Sequence, residues 1–400
     1  MENIYLFAAF WFFAAVLSTS LSSRLKISIA LMEIIVGTII GFAAFQMGYF
    51  DKLSLNADWL KFCTGLGAML LTFLAGAELN PDVMKAKIKE VSIIGIIGFA
   101  APFTGCSLIS YYLIGWNLQA SLLCGIALST TSMAVVYAVM LEYGFNKTEF
   151  GKGVLGACFV NDLGTVIALG LIFAPFTYKT VIFIAVTIMM IFFLVPMTDY
   201  LIKRFAYKTA AIRAKWIIFI LLAMGVLALW SGSEPVLPAY VLGMVLAETM
   251  EKDGHFVRRL RTLTVGFLTP LYFLRAGALV SIPALIASPV LFLLLFCGKV
   301  VSKIFGLYPA IHHFRDDNKE KWYYTLLMST GLTFGTISAL FGLSHNIISQ
   351  AQYSFIVGAV IASAVIPTLI ANKFFLPSHL LEAPVLDDQA PDENDIINKL

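Results

Sequence analysis

An all-α polytopic membrane fold is what this sequence predicts: about 13 transmembrane helices, arranged as inverted repeats of six around one linker, with two discontinuous helices crossing at the midplane. Three observations carry that reading. First, 60% of the 400 residues are hydrophobic and only 13% are charged, against roughly 45–50% and 25% in soluble domains. A chain this apolar needs lipid to cover its outer surface. Second, the charges fall in short blocks between apolar runs long enough to cross a hydrocarbon layer of ~30 Å. Third, segments 200 residues apart resemble each other.

The runs lie at about 4–22, 28–47, 59–79, 91–114, 117–141, 151–174, 179–198, 213–232, 236–250, 262–280, 286–308, 321–342 and 350–375. Met1-Glu2-Asn3 lacks the basic stretch of a cleaved leader, so the first run reads as a retained helix. With the N-terminus outside, the inner loops collect Arg24 and Lys26, Lys85, Lys87 and Lys89, then Lys147 and Lys152. Further along they collect Lys203, Arg204, Lys208, Arg213 and Lys215, then Lys252, Arg258, Arg259 and Arg261, and finally Arg315, Lys319 and Lys321. The opposite loops hold little beyond Lys52, Lys61 and Lys179. Positive charge therefore stays on one side at every turn, which a missed or extra helix would scramble. The segment from about Pro377 is polar and acidic (Asp387, Asp388, Asp392, Glu393, Asp395) and reads as a cytoplasmic tail. The five cysteines sit inside apolar runs, with no CxxC or Cys/His cluster, which argues against a disulfide framework or a zinc site.

Phe73-Leu74-Ala75-Gly76-Ala77-Glu78-Leu79 resembles Phe273-Leu274-Arg275-Ala276-Gly277-Ala278-Leu279, and Leu128-Ser129-Thr130-Thr131 resembles Met328-Ser329-Thr330-Gly331. The matched spans differ by an odd number in order, so they run in opposite directions through the membrane. That is the signature of inverted repeats in secondary transporters, whose sites lie at the midplane where corresponding helices are interrupted. Here the candidate interruptions fall at Ser129-Thr130-Thr131-Ser132 and at Ser329-Thr330-Gly331-Leu332-Thr333-Phe334-Gly335-Thr336. Hydroxyl residues and glycine allow local unwinding and free carbonyls for a small cation. The competing explanation is close helix packing through small residues.

A charge inside a span costs at least about 2.5–3.5 kcal/mol and so marks a functional candidate. Asp162, next to Asn161, lies near the middle of the sixth span. Burial penalises its charge, so it is suited to hold either a proton or a cation, the exclusivity that exchange requires. Lys299 also falls near a midplane and either titrates or pairs with a carboxylate or freed carbonyls. Lys303, one turn nearer the cytoplasm, is expected to snorkel. Arg275 is expected to reach outer headgroups or to pair across an interface. Glu33 and Glu78, near inner helix ends, read as funnel or interface carboxylates. His312 and His313 read as solvated loop residues or pH sensors.

These segments resemble the cation:proton antiporter-2 family over about 28–375. Met32-Glu33-Ile34-Ile35-Val36-Gly37-Thr38-Ile39-Ile40-Gly41 is similar to its early glycine-rich helix, and Leu66 to Leu79 to its LGxxLLxFLAGxEL stretch. Ala127 to Ser132 resembles its unwound crossing helix, Asn161-Asp162 its paired functional residues, and Gly298-Lys299 its buried lysine motif. The resemblance implies a homodimer in the cell membrane and an elevator motion. It implies dimerisation segments at 1–90 and 211–283, core segments at 91–177 and 284–376, a linker at 178–210 and a tail at 377–400. Asn-Asp resembles electroneutral relatives; those often carry arginine at the lysine position, whereas this chain has Lys299.

The function predicted is therefore monovalent cation/proton antiport, with sodium (or lithium) on Asp162, helped by Asn161, Thr130, Thr131, Ser132 and Thr330. Partners are the lipid bilayer, monovalent cations and protons, with no cofactor and no nucleic acid. The alternatives are a potassium/proton antiporter, a potassium-efflux channel-like protein, or a sodium-coupled solute symporter. No carbonyl-filter sequence supports a channel. No nucleophile–base motif or phosphate loop supports an enzyme.

Overall fold

The computed structural model describes residues 2–25, 29–77, 87–145, 148–173, 177–205, 212–233, 235–251 and 254–380. Glu78 and the acidic stretch 381–400 lie outside the described residues. Among the described residues the regular structure is entirely helical. The chain begins with α1 (Glu2–Leu25), α2 (Ile29–Gln46) and α3 (Asp58–Ala77). Next come α4 (Ile88–Leu108), α5 (Leu118–Ser129), α6 (Met133–Glu142), α7 (Glu149–Phe173) and α8 (Tyr178–Phe205). The second half holds α9 (Ile212–Ser231), α10 (Val236–Glu251), α11 (Gly254–Leu263) and α12 (Thr269–Ala278). It closes with α13 (Ile282–Ala287), α14 (Pro289–His312), α15 (Asn318–Met328), α16 (Thr333–Ser344) and α17 (Gln350–Phe374).

Ten helical stretches among the described residues are long and apolar enough to cross a membrane. They match ten of the predicted spans. The other three differ for physical reasons. The run at 117–141 is broken into α5 and α6 at its hydroxyl cluster. The run at 236–250 is a helix of 16 residues. The run at 262–280 passes through a wide turn at Thr264–Leu268, where the Thr269 amide donates back to the Thr264 carbonyl.

The inverted repeat is visible in how helices pair. α3 packs against α10, and α2 packs against α12. Each pair approaches at a glycine on both helices. A methyl group added at Gly76 would meet Tyr240 O and the Gly243 backbone, and one added at Gly243 would meet Phe73 O and the Gly76 backbone. In the other pair, a methyl at Gly37 would meet Leu274 O and one at Gly277 would meet Ile34 O. Small residues at both positions are what let two backbones touch where lipid supplies no hydrophobic drive. Gly76 therefore corresponds to Gly277, one residue beyond the alignment that the sequence match suggests. The breaks themselves keep the 200-residue spacing, since α6 begins at Met133 and α16 at Thr333.

Around the breaks, α4 packs on α5, α7 and α14, while α14 packs on α15 and α17. α5 packs on α16, so the two broken helices cross. The linker helix α8 lies on α9 and α10.

Candidate ion-binding site

α5 stops where its side chains compete with its backbone. Ser129 and Thr130 turn their hydroxyls back to the carbonyls of Ile126 and Ala127, at 2.8 and 3.1 Å. Thr130 then adopts φ −62°, ψ 151°, an extended conformation. In α15 the same back-bonding recurs: Ser329 donates to Thr325 O and Thr330 to Leu327 O, both at 2.8 Å. Leu332, at φ −153° and ψ −76°, lies outside the helix before α16 begins. Two half-helix C-termini and two N-termini thus meet in one buried place, bringing partial charges of both signs.

α7 supplies the carboxylate. Asp162 is 2% exposed, and its Oδ1 has no hydrogen-bond partner. Its neighbour is fully used. Asn161 Oδ1 accepts from the Thr131 amide at 2.9 Å, and Asn161 Nδ2 donates to Ser129 O at 3.3 Å. Asn161 therefore clamps the extended segment of the first broken helix, and Asp162 keeps a free oxygen beside it.

α14 supplies two buried lysine amines on one face. Lys303 is fully buried, and its Nζ donates to Thr131 Oγ1 at 2.8 Å. The same hydroxyl donates to Met328 O at 2.8 Å, which joins the two breaks. Lys303 also acts electrostatically on Asp162. The expectation that Lys303 snorkels is corrected: α4, α15 and α17 pack against α14 and leave its side chain no route to solvent. Its signal was the spacing of four residues from Lys299, which puts both amines on the same helix face. Lys299, also fully buried, donates from Nζ to Thr130 O at 3.2 Å.

Of the other predicted residues, Ser132 accepts from the Val135 amide at 3.4 Å and helps start α6. Thr330 caps α15 as described. Glu33 is 2% exposed on α2, with Oε2 unpartnered, in a helix packed on α1 and α12 and not on the breaks. Arg275 does not reach headgroups. It is buried and donates from Nε to Leu55 O at 2.7 Å, fixing the turn before α3. His312 ends α14 at its exposed face, and His313 packs edge-on to Phe314. Sequence reasoning also missed Tyr240 on α10, whose hydroxyl donates to Phe159 O at 3.1 Å one turn from Asp162. A lone tyrosine in an apolar run carries no signal of that contact.

A buried carboxylate with a free oxygen, two crossing breaks and two buried amines on one helix face define an inverted-repeat secondary transporter for small cations. The transmembrane sodium/hydrogen exchanger family model matches residues 12–374, and the chain belongs to that family. It is a membrane-embedded transporter and not an enzyme. A probable Na⁺/H⁺ antiporter 3 of Methanocaldococcus jannaschii is 25% identical over 80% of this chain and 84% of its own length. A Na⁺/H⁺ antiporter of Enterococcus hirae is 24% identical over 90% of this chain and 95% of its own. The solved structure of the sodium proton antiporter MjNhaP1 from Methanocaldococcus jannaschii shares the fold, with a TM-score of 0.67, 14% identity and coverage of 93% and 99%. These similarities do not favour the channel or symporter alternatives.

Proposed function

We propose that this chain exchanges sodium for protons by letting one carboxylate, Asp162, hold either ion in turn. The single observation that carries this reading is the buried Asp162 with an unpartnered oxygen beside two crossing helix breaks. A cation entering there meets the carboxylate and the backbone and hydroxyl oxygens of the 129–132 segment. Bringing a proton to Asp162 removes its charge and with it the main attraction for the cation. Lys303, bonded to Thr131, puts a second amine in the same buried site as Asp162. Asn161, Thr130, Thr131, Ser132 and Thr330 shape the breaks, chiefly through backbone bonds.

The moving part is the bundle of α4–α7 with α14–α17, and the stationary part contains α1–α3 and α9–α12, each completed as a homodimer. What supports this division is the pairing of α3 with α10 and α2 with α12 through glycine contacts, apart from the breaks. The uncharged Asn161 supports exchange of one cation for one proton. Basic loops favour the cell membrane with the N-terminus outside and the C-terminus cytoplasmic. In proteoliposomes, a sodium gradient should drive proton movement through the wild type, and Asp162→Asn should abolish it. Exchange at wild-type rates in D162N would sink the assignment.

A further inference from the structure

Exchange by a moving bundle requires each bond between α4–α7 or α14–α17 and the helices α9–α12 to break or to act as a pivot. Two tyrosine hydroxyls make such bonds, and they differ in what they hold. Tyr353 on α17 donates to Ala276 O on α12 at 2.8 Å. Ala276 is two residues from the end of α12, where the last carbonyls have no intrahelical donor, so this bond caps the helix. It lies beside the chain connection through α13, where the Ser281 amide donates to Ser354 Oγ at 2.7 Å. Its place is that of a pivot. Tyr240 on α10 is different. Its hydroxyl donates to Phe159 O at 3.1 Å, in the interior of α7, where a carbonyl already serves the helix. The phenol's bond is an addition there, and it can be given up without unwinding either helix.

The rings extend the contact. Tyr240 stacks on Phe159 with centroids 5.4 Å apart, and it meets Phe334, at the start of α16, edge-on at 5.7 Å. All three side chains are buried. One residue of α10 thus grips α7 three residues before Asp162 and also grips the helix that begins at the second break. The grip is anchored from behind. Tyr240 O is the backbone atom that a methyl at Gly76 would meet, so this turn of α10 stands directly on α3. Three residues earlier, Leu237 occupies the space that a methyl at Gly170 of α7 would take. We propose that Tyr240 is the latch between the two bodies: its hydroxyl and ring hold α7 and α16 against α10, and the exchange cycle breaks that hold each time the Asp162 site changes sides. Tyr240 is a positioning residue that acts through α7 and does not touch the ion. The proposal rests on the antiport reading, since only a moving bundle needs a latch.

Tyr240→Phe removes the hydroxyl and keeps the ring contacts. One hydrogen bond between neutral groups is worth about 2- to 10-fold in an equilibrium. Maximal sodium-driven proton flux in proteoliposomes should therefore rise by about that factor in Y240F, with a melting temperature no higher than the wild type's. Loss of a merely structural bond would lower flux and melting together. Flux in Y240F equal to or below the wild type's, with sodium-induced proton release intact, overturns the proposal. A cysteine pair, Gly170→Cys with Leu237→Cys, reads the same contact without transport. Cys63 and Cys297 are replaced by serine in that protein, because the other three cysteines are buried. In the purified full-length chain, oxidation should close the G170C/L237C disulfide, and adding Y240F should slow its closure. In proteoliposomes the closed disulfide should stop exchange, and a reductant should restore it. Closure at one rate with and without Y240F, or exchange that continues through the closed disulfide, overturns the latch. No sodium-driven flux in the wild type, together with closure slowed by Y240F, removes the antiport reading and supports the Tyr240 hold.

Discussion

Replacing Thr131 with valine removes one oxygen and keeps the side chain's shape, so it isolates the hydroxyl that joins three elements of the site. That hydroxyl accepts from Lys303 Nζ at 2.8 Å and donates to Met328 O at 2.8 Å, with the residue 1% exposed. A hydrogen bond to a charged group contributes about 1.5–3 kcal/mol, and a buried carbonyl left without its donor costs about 1–3 kcal/mol. The two losses share one atom and do not simply add, so about 3 kcal/mol is the expected effect. At about 1.4 kcal/mol per factor of ten, that corresponds to roughly a hundredfold loss of the seated arrangement. Sodium-driven proton flux in proteoliposomes should fall by about that factor in Thr131→Val. Thr131→Ser, which keeps both bonds, should stay within a few-fold of the wild type. Wild-type flux in T131V would refute the bridging role. Equal damage in T131S would show that the methyl group, and not the hydroxyl, matters.

Asn161→Ala should leave the Thr131 amide and Ser129 O without their side-chain partner, at about 1–3 kcal/mol each, and should lower the melting temperature in detergent. Asn161→Asp, which still accepts from the Thr131 amide, should lose less; if the two variants melt alike, the clamp is misassigned. In the loop between α14 and α15, Asp317 accepts from the amides of Glu320 and Lys319 at 2.9 and 2.8 Å and caps α15. The Glu320 amide, with that of Lys319 behind it, holds the Asp317 carboxyl below the usual carboxylate range. Asp317→Ala should therefore cost about 1 kcal/mol of stability at neutral pH. Because the folded group binds its proton less readily than the unfolded one, that difference persists above the ordinary aspartate value and fades as pH falls through the folded value. Melting curves of both proteins from pH 3 to 7 check it, and a gap that widens in acid would contradict the capping account.

The positions of the helix breaks were legible because Ser129-Thr130-Thr131-Ser132 and Ser329-Thr330-Gly331 announce their competition with the helix locally. Asp162 was legible because a carboxylate deep in an apolar run has few bland explanations. Lys303 was not. Whether a lysine one turn from the midplane snorkels or stays buried depends on what packs against its helix, and α4, α15 and α17 come from distant parts of the chain. Which of the two expectations for Arg275 holds was not legible for the same reason, since its acceptor is a backbone carbonyl at Leu55. The one-residue change in the glycine register has another cause. Small apolar residues match one another at several offsets, and only the close approaches of Gly76 to Gly243, of Gly37 to the Leu274 backbone and of Gly277 to the Ile34 backbone select one.

The most direct test of the shared carboxylate is proton release on cation binding, measured in weakly buffered detergent solution with a pH dye as sodium is added. The account predicts that the wild type releases protons in proportion to the sodium it binds, with the apparent sodium affinity weakening as pH falls, and that D162N releases none. Sodium binding without proton release in the wild type, or equal release from D162N, would contradict it.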